Sequence, residues 1–169
     1  MVGDRFACVK IRGRATFTSS IDFKTVLTEL RLKGYNYFVL DLADCTLMDS
    51  TFLGVLTGFG LKMRPQDGGN AAIELLNPNE RVVELLDSLG VIDLFKLTSG
   101  LRELPQGCEL TQPEPGMHSR LENTAACIEA HKILMSLSPE NAARFKDVAQ
   151  FLAEDLKRLK AAGSEQPGT

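Results

Sequence analysis

FVLDLADCTLMDSTFLGVL, residues 38–56, is the stretch on which the fold turns. Tyr37 to Leu42 is nearly continuous in apolar and β-favouring residues, as in a strand covered on both faces. A short loop from Ala43 to Met48 follows, and then the period changes. Asp49-Ser50-Thr51 precede Phe52, Leu53, Val55, Leu56, Phe59 and Leu61 at helical spacing, with a basic last turn at Lys62 to Arg64 and a stop at Pro65. Asp49 or Ser50 is the expected cap of this helix. A buried strand passing through a loop into a capped helix is half of a parallel crossover.

Working outward, Phe6 to Ile11 alternates apolar and polar residues and enters a turn at Gly13, which predicts a short strand. Ser19 and Ser20 are expected to cap a helix running through Phe23, Leu27 and Leu30 to Lys33-Gly34. Downstream, Ala71 to Leu76 reads as a buried strand. Asn77-Pro78 opens a helix through Val82, Leu86 and Leu89 to Gly90, and Phe95 to Thr98 is a last short strand. Strands alternating with helices imply an α/β layer with right-handed crossovers: a sheet of about four to five strands flanked by helices, over residues 1–104.

The remainder changes character. PQGCELTQPEPGMH, residues 105–118, holds three Pro and two Gly and reads as a linker. Ser119 with Glu122 forms a capping box ahead of a stripe at Leu121, Ala125, Ile128, Lys132 and Met135, and Ser138-Pro139-Glu140 opens a second helix. Residues 119–162 are thus a helical hairpin, and 163–169 a disordered tail. Two amphipathic helices alone enclose too little apolar area, so the hairpin must dock on its own domain, on a second copy to give a homodimer, or on another protein.

The 169 residues carry a net charge of −3, with 12 basic and 13 acidic side chains up to residue 104 and 7 and 9 beyond it. Neither part is a footprint for nucleic acid. The longest uncharged apolar stretch, residues 50–61, is too short for membrane insertion, and the charged start MVGDRFACVKIR lacks the apolar run of a signal peptide. A cytoplasmic protein is the expectation, with Cys8, Cys45, Cys108 and Cys127 as reduced thiols; their spacing has no CxxC, so no metal site is expected.

Nor does the sequence offer catalytic machinery. Gly54, Gly58 and Gly60 lie inside a helix and form no phosphate loop; they are expected to let that helix approach the sheet. His118 and His131 are expected at a linker end and on a helix flank, in surface roles. Asp41, Asp44 and Asp49 cluster near one strand end without a Lys closing the later strands. No enzyme activity and no cofactor are expected. The unusual feature is two hydroxyls and a carboxylate on one helical first turn. Capping explains one of the three; phosphorylation at an exposed helix N-terminus gives the others a purpose.

With those residues in view, FVLDLADCTLMDSTFLGVL and LLNPNERVVELLDSLGVIDLFKL resemble the signature and later segments of STAS domains of the anti-sigma factor antagonist kind, over residues 4–104. That resemblance implies a regulatory binding protein that captures an anti-sigma Ser/Thr kinase when unphosphorylated, is released on phosphorylation, and is reset by a phosphatase. By motif position Ser50 is the acceptor and Thr51 the alternative, with Asp44, Asp49, Ser50, Thr51 and Phe52 at the partner surface. Phe52 stands where the family has Gly: pointing inward it is core, pointing outward it is a contact. The competing readings are a structural STAS subunit of a signalling scaffold or lipid-transport complex, and a small-molecule sensor.

Overall fold

The computed structural model describes residues 6–64, 69, 71–101 and 113–164. The chain runs β1 (Phe6–Lys10), β2 (Gly13–Ala15), α1 (Phe17–Leu32), β3 (Tyr37–Asp41), β4 (Cys45–Met48), α2 (Ser50–Met63), β5 (Ile73–Leu76), α3 (Glu80–Ser88), a 3-10 turn (Ile92–Leu94), β6 (Lys96–Thr98), α4 (Arg120–Met135) and α5 (Pro139–Ser164).

β1, β3, β5 and β6 form a parallel sheet in that order. The order never reverses, so right-handed crossovers put α1, α2 and α3 on one face. Ala7, Phe38, Leu40, Ile73 and Leu75 point to that face and join Leu27, Leu53, Leu56 and Leu86 in one core. Phe38 meets Phe59 of α2 edge to face at 5.0 Å between ring centroids. On the opposite face Glu74 is buried, its carboxylate accepting from Tyr37 Oη at 2.8 Å and Thr98 Oγ1 at 2.7 Å.

Several local expectations change. The turn at Gly13 and the loop at Ala43 to Met48 contain two further strands, β2 and β4, paired in parallel as a small second sheet. Their partners lie some thirty residues apart, so neither short segment signals the pairing by itself. β2 and β4 end together beside α2, where Asp49 N donates to Ala15 O at 2.9 Å. α1 begins earlier than its serines indicate, with Thr16 at the N-cap position, while Ser19 and Ser20 donate back to the carbonyls of Thr16 and Phe17. The α3 cap is Asn79, which accepts from Val82 N. Asn77 instead takes a left-handed backbone, φ 55°, and ties its side chain to Gly100.

The hairpin helices start where their caps place them, Ser119 Oγ accepting from Glu122 N and Ser138 Oγ from Asn141 N. α5 continues through Gly163 to Ser164, helical where the tail is expected to start; residues 165–169 of that tail and residues 105–112 of the expected linker lie outside the described residues. The hairpin docks on its own domain. Leu134 and Phe145 belong to the same core as Leu53, and Asn141 Nδ2 donates to Leu89 O and Leu134 O, both at 3.0 Å, pinning the hairpin turn to the end of α3. No helix among the described residues is long and apolar enough to cross a membrane.

Candidate functional site at the start of the second helix

Asp49 sets this site in place. Its Oδ1 accepts from Phe52 N at 2.8 Å, capping α2, and its Oδ2 accepts from Phe17 N at 2.8 Å, serving the first turn of α1. One carboxylate thus satisfies amide groups at two helix N-termini, where both helix dipoles favour negative charge. With Asp49 as the cap, Ser50 is left without a capping role.

Ser50 is the first residue of α2 and is half-buried. Its Oγ lies 2.9 Å from His131 Nε2 of α4. His131 Nδ1 lies 2.7 Å from the carbonyl oxygen of Cys127. A carbonyl only accepts, so the ring proton of neutral His131 sits on Nδ1, and Nε2 accepts from the Ser50 hydroxyl. Thr51 is 5% exposed, with Oγ1 donating to Cys127 Sγ at 3.6 Å. Burial pushes the Cys127 thiol above its ordinary value, against a smaller opposing effect from the Thr51 hydrogen bond.

Phe52 takes the inward of its two alternatives. It is 2% exposed and stacks on Phe23 of α1 at 4.3 Å between centroids, so it contributes to the core and offers no outward surface. Asp44 stands apart in the loop before β4, exposed and 3.0 Å from Lys10 Nζ. Asp41 accepts from Ala43 N. Each of the three aspartates near the strand end therefore has a local task.

His131 is the residue that sequence reasoning misplaces. It is 4% exposed and meets the Phe145 ring edge to face at 5.2 Å, in place of the expected helix flank. The buried face of α4 runs Thr124, Cys127, Ile128, His131 and Leu134, rotated from the stripe read through Leu121, Ala125 and Lys132. The positions 124, 127, 131 and 134 recur at helical spacing, so a pattern admitting Thr, Cys and His as buried types would have found that face.

The glycines explain how closely α4 approaches. A Cβ on Gly54 would lie 2.5 Å from Ala130 O, and one on Gly58 would lie 2.8 Å from Ile133 Cδ1. These two face α4 in place of the sheet. Gly60 alone turns toward the sheet end of the domain, against Phe95. Positions 50, 51, 54 and 58 are one face of α2, and α4 lies along it from its first residue. At the margin, His118 sits between Asp22 Oδ1 at 2.7 Å and Glu122 Oε2 at 3.2 Å, and Lys24 reaches Glu129 at 3.4 Å, tying α4 to α1.

Comparison with known proteins places these features. The STAS domain family model matches residues 2–104. An anti-sigma-B factor antagonist of Staphylococcus epidermidis is 32% identical over 97 residues, 57% of this chain and 87% of that protein. A STAS-domain containing protein of Pseudomonas aeruginosa is 33% identical over 91 residues, 53% of this chain and 85% of that protein. Among solved structures, the anti-sigma factor antagonist SpoIIAA in its unphosphorylated form is similar with a TM-score of 0.45 and 14% identity, covering 60% of this chain and 86% of that one.

Proposed function

We propose a regulatory role for this chain, which belongs to the STAS domain family: it acts as an anti-sigma factor antagonist that binds an anti-sigma Ser/Thr kinase and is released when Ser50 is phosphorylated. The relatives named anti-sigma-B factor antagonist support the role. The observation that carries the choice of residue is the division of labour on the first turn of α2. Asp49 does the capping, Thr51 is buried, and Ser50 is the half-buried residue whose hydroxyl is not needed as a cap. Thr51 is the alternative acceptor only where the turn first opens.

Phosphate on Ser50 adds nearly two negative charges at a helix N-terminus, which the dipole tolerates, beside the Asp49 carboxylate and against any surface docked there. Like-charge repulsion and desolvation at such an interface oppose binding by several kcal/mol, and a phosphatase restores the capturing form. Asp49 and Ser50 then form the partner surface, with Phe52 supporting it from the core and Asp44 standing apart on Lys10.

The test is mass spectrometry after incubation with the kinase-like anti-sigma factor of the same genome and ATP, together with binding by wild type and Ser50→Asp. The expected results are one phosphate on Ser50 and loss of binding by the variant. No phosphate on Ser50 or Thr51, or equal binding by the two proteins, sinks the switch. A second reading draws on the Ser50–His131 hydrogen bond: a structural STAS subunit in which Ser50 anchors the hairpin. On that reading Ser50→Ala loosens the hairpin and the kinase binds neither form.

A further inference from the structure

We propose that α4 is a built-in cover for the start of α2, so that a partner reaches Ser50 only after the hairpin swings away. The inference rests on the antagonist reading and adds its regulation.

The contacts follow one another along α2: Ser50 with His131, Thr51 with Cys127, Gly54 with Ala130, and Gly58 with Ile133. The backbone of α4 at Ala130 is so near Gly54 that a single methyl group does not fit between them. No partner helix or loop shares that face while α4 occupies it. Phosphoryl transfer also needs the acceptor oxygen about 3–3.5 Å from the phosphorus and a base to take its proton. In the covered form His131 Nε2 occupies the hydrogen-bonding direction of the Ser50 hydroxyl proton, where a kinase base has to stand. The hydroxyl is satisfied and shielded together.

Leu134, Phe145 and the buried Asn141 hydrogen bonds hold the hairpin on the domain core, while its ties to α1 at the margin of the cover are the partly exposed pairs Lys24–Glu129 and His118–Asp22, which water screens. Opening exposes Cys127, buried at 9% exposure, and that thiol reports the cover directly.

A cover closed most of the time lowers apparent partner affinity by the fraction of chains that are open. The experiment compares the full wild-type chain with Ala130→Glu, which places a charge at the tightest α2–α4 contact and leaves every residue of the first 104 unchanged. Three quantities are read: alkylation rate at Cys127 by peptide mass spectrometry, affinity for the kinase-like anti-sigma factor, and amide hydrogen exchange of residues 120–135 in wild type with and without that kinase. Expected are slow alkylation of wild type, alkylation and kinase affinity both raised roughly tenfold in the variant, and faster exchange in α4 when the kinase binds wild type.

Kinase binding to wild type with α4 exchange unchanged or slowed overturns the cover and leaves the antagonist reading standing. The same holds if wild type binds the kinase and the variant alkylates faster yet binds no better. If neither chain binds the kinase while Cys127 of the variant alkylates faster, the antagonist reading falls and the cover with it. The exchange measurement needs only wild type, so misfolding of Ala130→Glu does not remove the test.

Discussion

Asp49 illustrates how much a single side chain organises at this helix start. Its two oxygens serve α2 and α1 separately, so Asp49→Ala removes two charge-assisted hydrogen bonds and is expected to cost about 2 kcal/mol by urea denaturation. Asp49→Asn retains one acceptor and a good capping residue, and should lose less. The sequence narrowed this cap to Asp49 or Ser50, because a short polar residue before an apolar run at helical spacing is a local signal, and the structure chose Asp49. Its second task was not legible, because Phe17 is 32 residues away. His131 marks the same limit more sharply. A histidine read by local polarity faces water, yet here both ring nitrogens find partners, Ser50 and the Cys127 carbonyl, and burial loses its usual penalty.

Among the elements, α2 and α4 are matched by their small residues. Gly→Ala inside a helix ordinarily gains about 1 kcal/mol through propensity. At Gly54 the new methyl group meets the backbone of Ala130 at 2.5 Å, and backbone in a packed helix does not yield. Gly54→Ala is therefore expected to destabilise by about 1–3 kcal/mol and to speed Cys127 alkylation. At Gly58 the obstacle is the far end of the Ile133 side chain, which turns aside, so Gly58→Ala should fall within about 1 kcal/mol of wild type. Denaturation curves of the two variants side by side check the contrast. The sequence shows three glycines in a helix; which neighbour each accommodates depends on the angle at which α4 crosses, and only Gly60 faces the Phe95 side.

For the molecule as a whole, the hairpin and the first domain share one core, and their margin carries a proton-linked tie. Both nitrogens of His118 face carboxylates, Asp22 first and Glu122 second, and the Asp22 hydrogen bond holds its pKa above the usual 6.5 against a smaller effect of desolvation. A raised folded-state value means the stabilisation is complete below the unfolded value and is lost as the pH climbs through the folded one. The melting temperature of wild type should accordingly exceed that of His118→Gln most at about pH 6 or below, with the gap closing toward alkaline pH. A gap independent of pH would assign the contact to packing alone. The same screened tie is the margin from which α4 lifts in the proposed cover. By itself the sequence determined the four strands of the main sheet, the five helices, the caps at Ser119 and Ser138, and the family of residues 2–104, because periodicity and capping are properties of neighbouring residues. The tertiary structure alone decided that the hairpin docks on its own domain and that α4 buries its His131 face over Ser50. That outcome depends on shape complementarity between residues some eighty positions apart, a narrow α2 surface at Gly54 and Gly58 meeting Ala130 and Ile133, which no local pattern in either helix encodes.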